Sequence, residues 1–129
     1  MAHFLSPLLR SSDCVHVLRN QRTGTVLATA LETASDSNAR RRGLLGRDAM
    51  PAGSSLVIAP CSSVHTFSMR FAIDIIFAAR DGRVLKVRRR VAPWRIAAAL
   101  GAFAVIELPS GSLDESAIAI GDTLQIVAA

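Results

Sequence analysis

The chain has no tyrosine, one tryptophan and five phenylalanines, so aromatic residues make up only 5% of it. Any core must therefore be aliphatic, built from valine, isoleucine, leucine and alanine. Cysteine is equally scarce. Cys14 and Cys61 are the only two, too few for a disulfide framework, and they read as buried thiols in a reducing compartment. Long apolar runs are missing too. The longest, Ile96 to Ile106, covers 11 residues and contains Gly101, about half of what a membrane span needs. The leading segment has no basic start, and Pro7 interrupts its apolar stretch, so no export signal is expected. These absences predict a soluble, cytoplasmic protein with no membrane span. A serine nucleophile elbow, a phosphate-cradling glycine loop and a metalloprotease motif are also lacking.

Lysine is nearly absent: Lys86 is the only one among 15 lysines and arginines. The net charge is +5 and the isoelectric point is near 10.9. Much arginine and alanine with almost no lysine fits a GC-rich coding sequence. Such charge attracts nucleic acid or anionic lipid weakly but is not by itself a site. At 129 residues and 50% hydrophobic, the chain can bury a sizeable core without a staple. Residues 1–13 read as a flexible N-terminal lead-in and 14–129 as a single domain.

Turn signals divide the rest into short strands. Cys14–Arg19 and Thr25–Ala30 flank a polar connection that suggests a hairpin. Ser35–Asn38 opens a short helix over Ala39–Leu45. Leu56–Ala59 reads as a buried strand, and Val64–Arg70 as an alternating one that puts His65, Phe67 and Met69 on one face. Ile73–Ala79 and Val84–Arg90 enclose Asp81-Gly82, a strong hairpin signal. A two-residue loop there pairs Ala78 with Leu85, Ile76 with Val87 and Asp74 with Arg89. Ala102–Leu108 and Thr123–Val127 complete the strands. Ser112–Glu115 resembles a capping box for a short helix to Ala119. The predicted fold is mainly β (α+β): a compact antiparallel β-sandwich or partly closed barrel of about seven strands with one or two short helices.

The informative stretch is Cys61 to Phe77. Asp74 lies among large apolar residues, where a charge must be paired, hydrogen-bonded or neutralised. Two accounts compete. Asp74 forms a cross-strand ion pair with Arg89, or a kink near Phe71-Ala72 brings it to His65 as an orienting carboxylate. Cys61, His65 and Met69 form a soft ligand set, but an extended chain separates the outer two by about 26 Å, so no metal and no cofactor are expected. His16, between two valines, reads as a sheet residue. The triplets Arg40–Arg42 and Arg88–Arg90 read as solvated faces, and nucleic acid is an unlikely partner.

Taken in order, Arg40-x-x-Gly43-Leu44-Leu45-Gly46-Arg47, His65-Thr66-Phe67-x-Met69-Arg70-Phe71-x-Ile73-Asp74-x-x-Phe77 with Asp81-Gly82 and Val84, Pro93-Trp94-Arg95, Glu107-Leu108-Pro109-x-Gly111 and Gly121-Asp122 resemble the domain of unknown function 192 family. The resemblance runs from about Val26 to Val127. It implies a compact β-rich domain with small helices and no particular biochemical activity. Many relatives have proline where this chain has Ala72, and many carry an export signal or lipid anchor that is not evident here.

The expected function is that of a binding or accessory module rather than an enzyme. Its pocket is lined by His65, Phe67, Met69 and Asp74, with Arg40, Arg47 or Arg95 supplying positive charge for a small anionic ligand or a peptide. The alternatives are a small hydrolase or transferase using His65 as base oriented by Asp74, and a weak nucleic-acid module acting through its arginines.

Overall fold

A run such as Ile73–Phe77, apolar at nearly every position, fits a strand covered on both faces rather than one. The computed structural model, which describes residues 3–10 and 15–129, shows such a sheet. Cys14 and its pairing lie outside the described residues. The elements in chain order are α1 (Ser6–Arg10), β1 (His16–Asn20), β2 (Val26–Ala28), β3 (Ala30–Ala34), α2 (Ser37–Arg42), β4 (Ser54–Ile58), β5 (Ser63–His65), β6 (Ile73–Ala78), β7 (Val84–Val91), β8 (Ile96–Ala98), β9 (Ala104–Pro109) and β10 (Leu124–Ala128).

Five strands form the central sheet in the order β3-β4-β9-β6-β7; β10-β1-β2 and β5-β8 form two smaller sheets. The fold is mainly β and sandwich-like, and the described strands close no barrel. One pairing departs from the antiparallel expectation: β3 and β4 run parallel. Parallel neighbours need a long crossover, which α2 and its flanking loops supply. The expected second strand also divides. It ends at Ala28 and resumes at Ala30, carrying the chain from one sheet to the next.

Alternation across the central sheet sorts two cores. Val57, Ile106 and Ile76 pair in register across three strands and face Leu18, Leu27, Leu124 and Ile126 of the three-stranded sheet. On the other face Leu56, Ile75, Phe77 and Val105 pack with Leu44, Met69 and Ala97 from the turn after α2, the β5–β6 turn and β8. Phe77, Ile75, Ile76 and Ile106 have no solvent exposure. Part of the stretch read as a lead-in joins the first core: Leu5 is buried, and the Phe4 N–H donates to the Arg80 carbonyl at 2.8 Å.

Two turns differ from expectation. Between β6 and β7 the Gly82 N–H donates to Ala79 O and the Ala79 N–H to Arg83 O, both at 2.9 Å, so three residues rather than two form the loop. Ile76 still pairs with Val87, but the register shifts on both sides, and Ala78 meets Val84 instead of Leu85. Gly82 has φ +90°, and a Cβ there would lie 2.5 Å from the Leu124 carbonyl oxygen. Residues 112–119 form turns, not a helix. Asp114 Oδ1 accepts from the Ser116 and Ala117 N–H groups at 2.9 Å, which closes one turn without a second. In α2 the cap is Asp36, whose carboxylate accepts from the Ala39 N–H at 2.8 Å. Gly43, at φ +47°, ends the helix before Leu45.

Two buried carboxylates tie loops to the sheets. Asp122 accepts from Asn20 Nδ2 and the Ala119 N–H, each at 2.8 Å. It also pairs with Arg22. The bond from Arg22 is the main cause that holds its carboxyl below the usual range. Asp74, with no exposure, accepts from three backbone N–H groups: Arg90 at 2.8 Å, Gly111 at 3.1 Å and Leu113 at 2.9 Å. Arg90 has φ +52° and sits beside the register shift between β6 and β7. Asp74 thus staples a strained strand and the 109–113 turn to the central sheet. Truncating it strands three N–H groups. Asp74→Ala is expected to lower unfolding free energy in urea by roughly 3–5 kcal/mol; a loss below about 1 kcal/mol would show that other groups take its place.

Candidate functional site

The β5 strand is shorter than its alternating sequence suggests. It pairs with β8 through Ser63–Ala98, Val64–Ala97 and His65–Ile96, then stops. Thr66 stops it. This buried residue donates its N–H to Arg95 O at 2.8 Å and accepts from the Trp94 N–H at 3.0 Å. Its hydroxyl donates to Ala92 O at 2.7 Å and accepts from the Arg95 N–H at 2.9 Å. A residue so held cannot continue a strand. The chain turns, the Met69 N–H bonds to Thr66 O at 3.2 Å, and Ser68 takes φ +62°. His65, Phe67 and Met69 therefore do not share a strand face. Met69 folds inward into the second core, while His65 and Phe67 stay exposed.

The turn brings three expected site residues to one cavity. Arg40 and Arg41 of α2, Cys61, His65, Met69 and Glu107 line a space of about 370 Å³ on the second face of the central sheet. Phe67 stands beside it with its ring 4.9 Å from that of His65. The separation expected between Cys61 and Met69 is removed by the fold at Thr66. Even so, no group of three His, Cys, Asp or Glu side chains among the described residues is placed to hold a metal ion. The Cys61 thiol donates to Ser63 O at 3.1 Å, and burial pushes its pKa up, which disfavours a thiolate nucleophile.

Asp74 is not part of this cavity. Along β6 it alternates with Ile76 and Ala78, which belong to the first core, whereas His65 stands over the second. The expected kink near Phe71-Ala72 does not bring the two together, because the three backbone N–H groups on the opposite side consume the carboxylate. The expected ion pair with Arg89 fails as well. Asp74 meets the Arg90 backbone, and the Arg89 guanidinium donates to carbonyls of Leu113, Asp114 and Ile118. His65 instead accepts at Nδ1 from the Phe67 N–H at 3.3 Å.

Two expected arginines lie elsewhere. Arg47 makes a bidentate pair with Glu32 at 2.7 and 3.0 Å, in an adjoining cavity of about 300 Å³. The Arg95 guanidinium lies against the Pro93 and Trp94 carbonyls at 3.4 and 3.3 Å. Arg40 bonds to the Ser35 carbonyl.

Glu107 was not among the expected site residues. It sits mid-strand on β9, flanked across the sheet by Leu56 and Ile75, and is 3% exposed. Among the described residues none donates a hydrogen bond to its carboxylate. Burial raises its pKa to about 7, while Arg47 pulls the other way. The signal was present as Ile106-Glu107-Leu108, the same carboxylate-among-aliphatics pattern that marked Asp74.

The family model DUF192, described as "Uncharacterized ACR", matches residues 18–126. The chain belongs to the DUF192 family. Two solved structures share its fold. One is a protein of unknown function from Novosphingobium aromaticivorans DSM 12444, 21% identical, with a TM-score of 0.73 over 86% of this chain and 83% of that one. The other, from Sinorhizobium meliloti 1021, is described as a candidate transcription regulator; it is 20% identical, with a TM-score of 0.74 over 86% and 91%. No curated protein matches the chain. Several of the spaced residues noted in the sequence prove structural in this DUF192 chain. Asp74 and Gly111 form the staple, Thr66 with Pro93-Trp94-Arg95 forms the clamp, and Asp122 anchors Asn20.

A raised carboxyl pKa gives a definite sign. Between the ordinary glutamate value of 4.5 and about 7 the folded chain holds a proton the unfolded chain has lost, so stability falls as pH rises through that window. Glu107→Gln is expected to flatten this loss and to be more stable than the native chain near pH 8, by on the order of a few kcal/mol. Urea titrations at about pH 5 and about pH 8 read the difference directly; parallel pH profiles for the two proteins would place the Glu107 carboxyl in water.

Proposed function

We propose that this DUF192 chain is a binding module that takes a small anionic ligand in the cavity between α2 and the central sheet. The observation that carries the reading is Glu107: a buried carboxyl without a hydrogen-bond partner among the described residues, at a cavity whose other side carries Arg40 and Arg41. Glu107 lines the open volume of the cavity, so a ligand oxygen entering there can pair with its carboxyl. In its protonated form Glu107 donates to that oxygen while the arginines supply opposite charge. The volume of about 370 Å³ lies in the range of small-molecule sites, and Leu44, Ile58 and Met69 give it an apolar wall.

A hydrolytic or transfer reaction based on His65 has less support. Its proposed orienting partner, Asp74, is committed to backbone groups on the far side of the sheet, and the His65 Nδ1 is occupied by the Phe67 N–H.

Isothermal titration with gluconate, glucuronate and benzoate tests the reading. At least one of these carboxylates is expected to bind near pH 6. Affinity should fall as pH rises past about 7, because ionised Glu107 repels the anion and no longer donates. The double substitution Arg40→Gln/Arg41→Gln should weaken binding about tenfold or more. Failure of all three acids to bind, or full affinity in the double variant, would overturn the proposal.

A further inference from the structure

Tryptophan is among the largest apolar side chains and is highly buried on average. Here the single Trp94 is 62% exposed, and Phe67 beside it is 37% exposed. Their rings stack, with centroids 5.8 Å apart and planes 24° from parallel. The Phe67 ring in turn lies tilted against that of His65, with centroids 4.9 Å apart and planes 30° from parallel, and His65 lines the cavity that holds Arg40, Arg41 and Glu107. Three rings therefore run in a row outward from a basic cavity.

The row is held at a cost. Trp94 has φ +67° and Ser68 φ +62°, a left-handed backbone that disfavours both residue types. The Thr66 clamp imposes the Trp94 conformation: the same four bonds that end β5 fix residues 92–95. Strained backbone that keeps large aromatics in solvent contributes nothing to the core, and stacked aromatics with an open face are what planar ligands use. Charge and surface agree about the occupant. One end offers guanidinium groups to a carboxylate, and the other offers a flat apolar face to a ring.

We infer that the ledge formed by His65, Phe67 and Trp94 extends the anion cavity into a specificity site for a ring that carries a carboxylate. The inference rests on the anion-binding reading above and names the class of ligand for it. The shared chemistry could come from a sugar acid, whose C–H face stacks on indole, or from an aromatic acid.

The same three acids separate the possibilities. Gluconate is the open-chain acid, glucuronate presents a pyranose and benzoate an arene. Glucuronate, benzoate or both should bind at least about tenfold tighter than gluconate and should change the fluorescence of Trp94, the only tryptophan. Whichever ring acid does so identifies the source. Trp94→Ala should reduce the preference over gluconate to about threefold or less, while Trp94→Phe, which keeps a ring, should retain most of it. Far-UV circular dichroism confirms that both variants fold, and Phe67→Leu provides a second disruption of the ledge if Trp94→Ala does not. Equal affinity for all three acids, or a ring preference that survives loss of the ledge, would overturn this inference and leave the anion site standing. Binding of none of them would remove both.

Discussion

A sheet covered on both faces leaves a polar side chain no water to turn to, and that constraint governs this molecule. The central strands β9 and β6 meet the three-stranded sheet on one side and α2 with the β5–β8 ribbon on the other. Each carries one carboxylate. Asp74 points to the first core and is satisfied by three backbone N–H groups. It repays its burial by holding the Arg90 bulge and the 109–113 turn in place. Glu107 points to the second core and has no such donors, so its proton is retained to unusually high pH. The two acids sit in similar sequence surroundings and differ only in what the opposite layers present to them.

The contrast explains why one carboxylate is architecture and the other borders the candidate site. A turn rich in free N–H groups, such as 109–113, absorbs a buried charge completely. The layer above Glu107 instead supplies guanidinium groups, an imidazole and a thiol around open volume. Thr66 makes that layer possible. By capturing the 92–95 turn it ends β5, folds Met69 inward as the cavity wall, and leaves Phe67 and Trp94 stacked outside. One hydroxyl and the main chain of one residue thus set both the cavity and its aromatic border.

Likeness to two solved structures at about one-fifth identity establishes the architecture alone. The polar residues of this chain have two kinds of physical meaning. Asp74, Gly111, Thr66 and Asp122 answer hydrogen-bonding needs that the fold creates. Glu107 accepts no hydrogen bond from the described residues and lines the same cavity as Arg40 and His65, which is why the functional reading falls there.

Much of the fold was legible locally. Alternation and turn chemistry located most strands within a few residues, because a pleat's two-residue period and the demands of Asp-Gly are written in neighbouring positions. The helix start within Ser35–Asn38 and the Ile76–Val87 pairing follow from the same short-range rules. The buried carboxylate at Asp74 was recognisable as a group needing partners, but not the partners, since Arg90, Gly111 and Leu113 come from strands and turns distant in the chain. The parallel β3–β4 pair, the end of β5 at Thr66 and the separation of His65 from Asp74 were likewise invisible. The amino-acid order determined an aliphatic, mainly β chain with polar groups that would have to be answered. Only the tertiary structure decided which were answered, because hydrogen-bond partners and burial depend on which layers meet across the sheet.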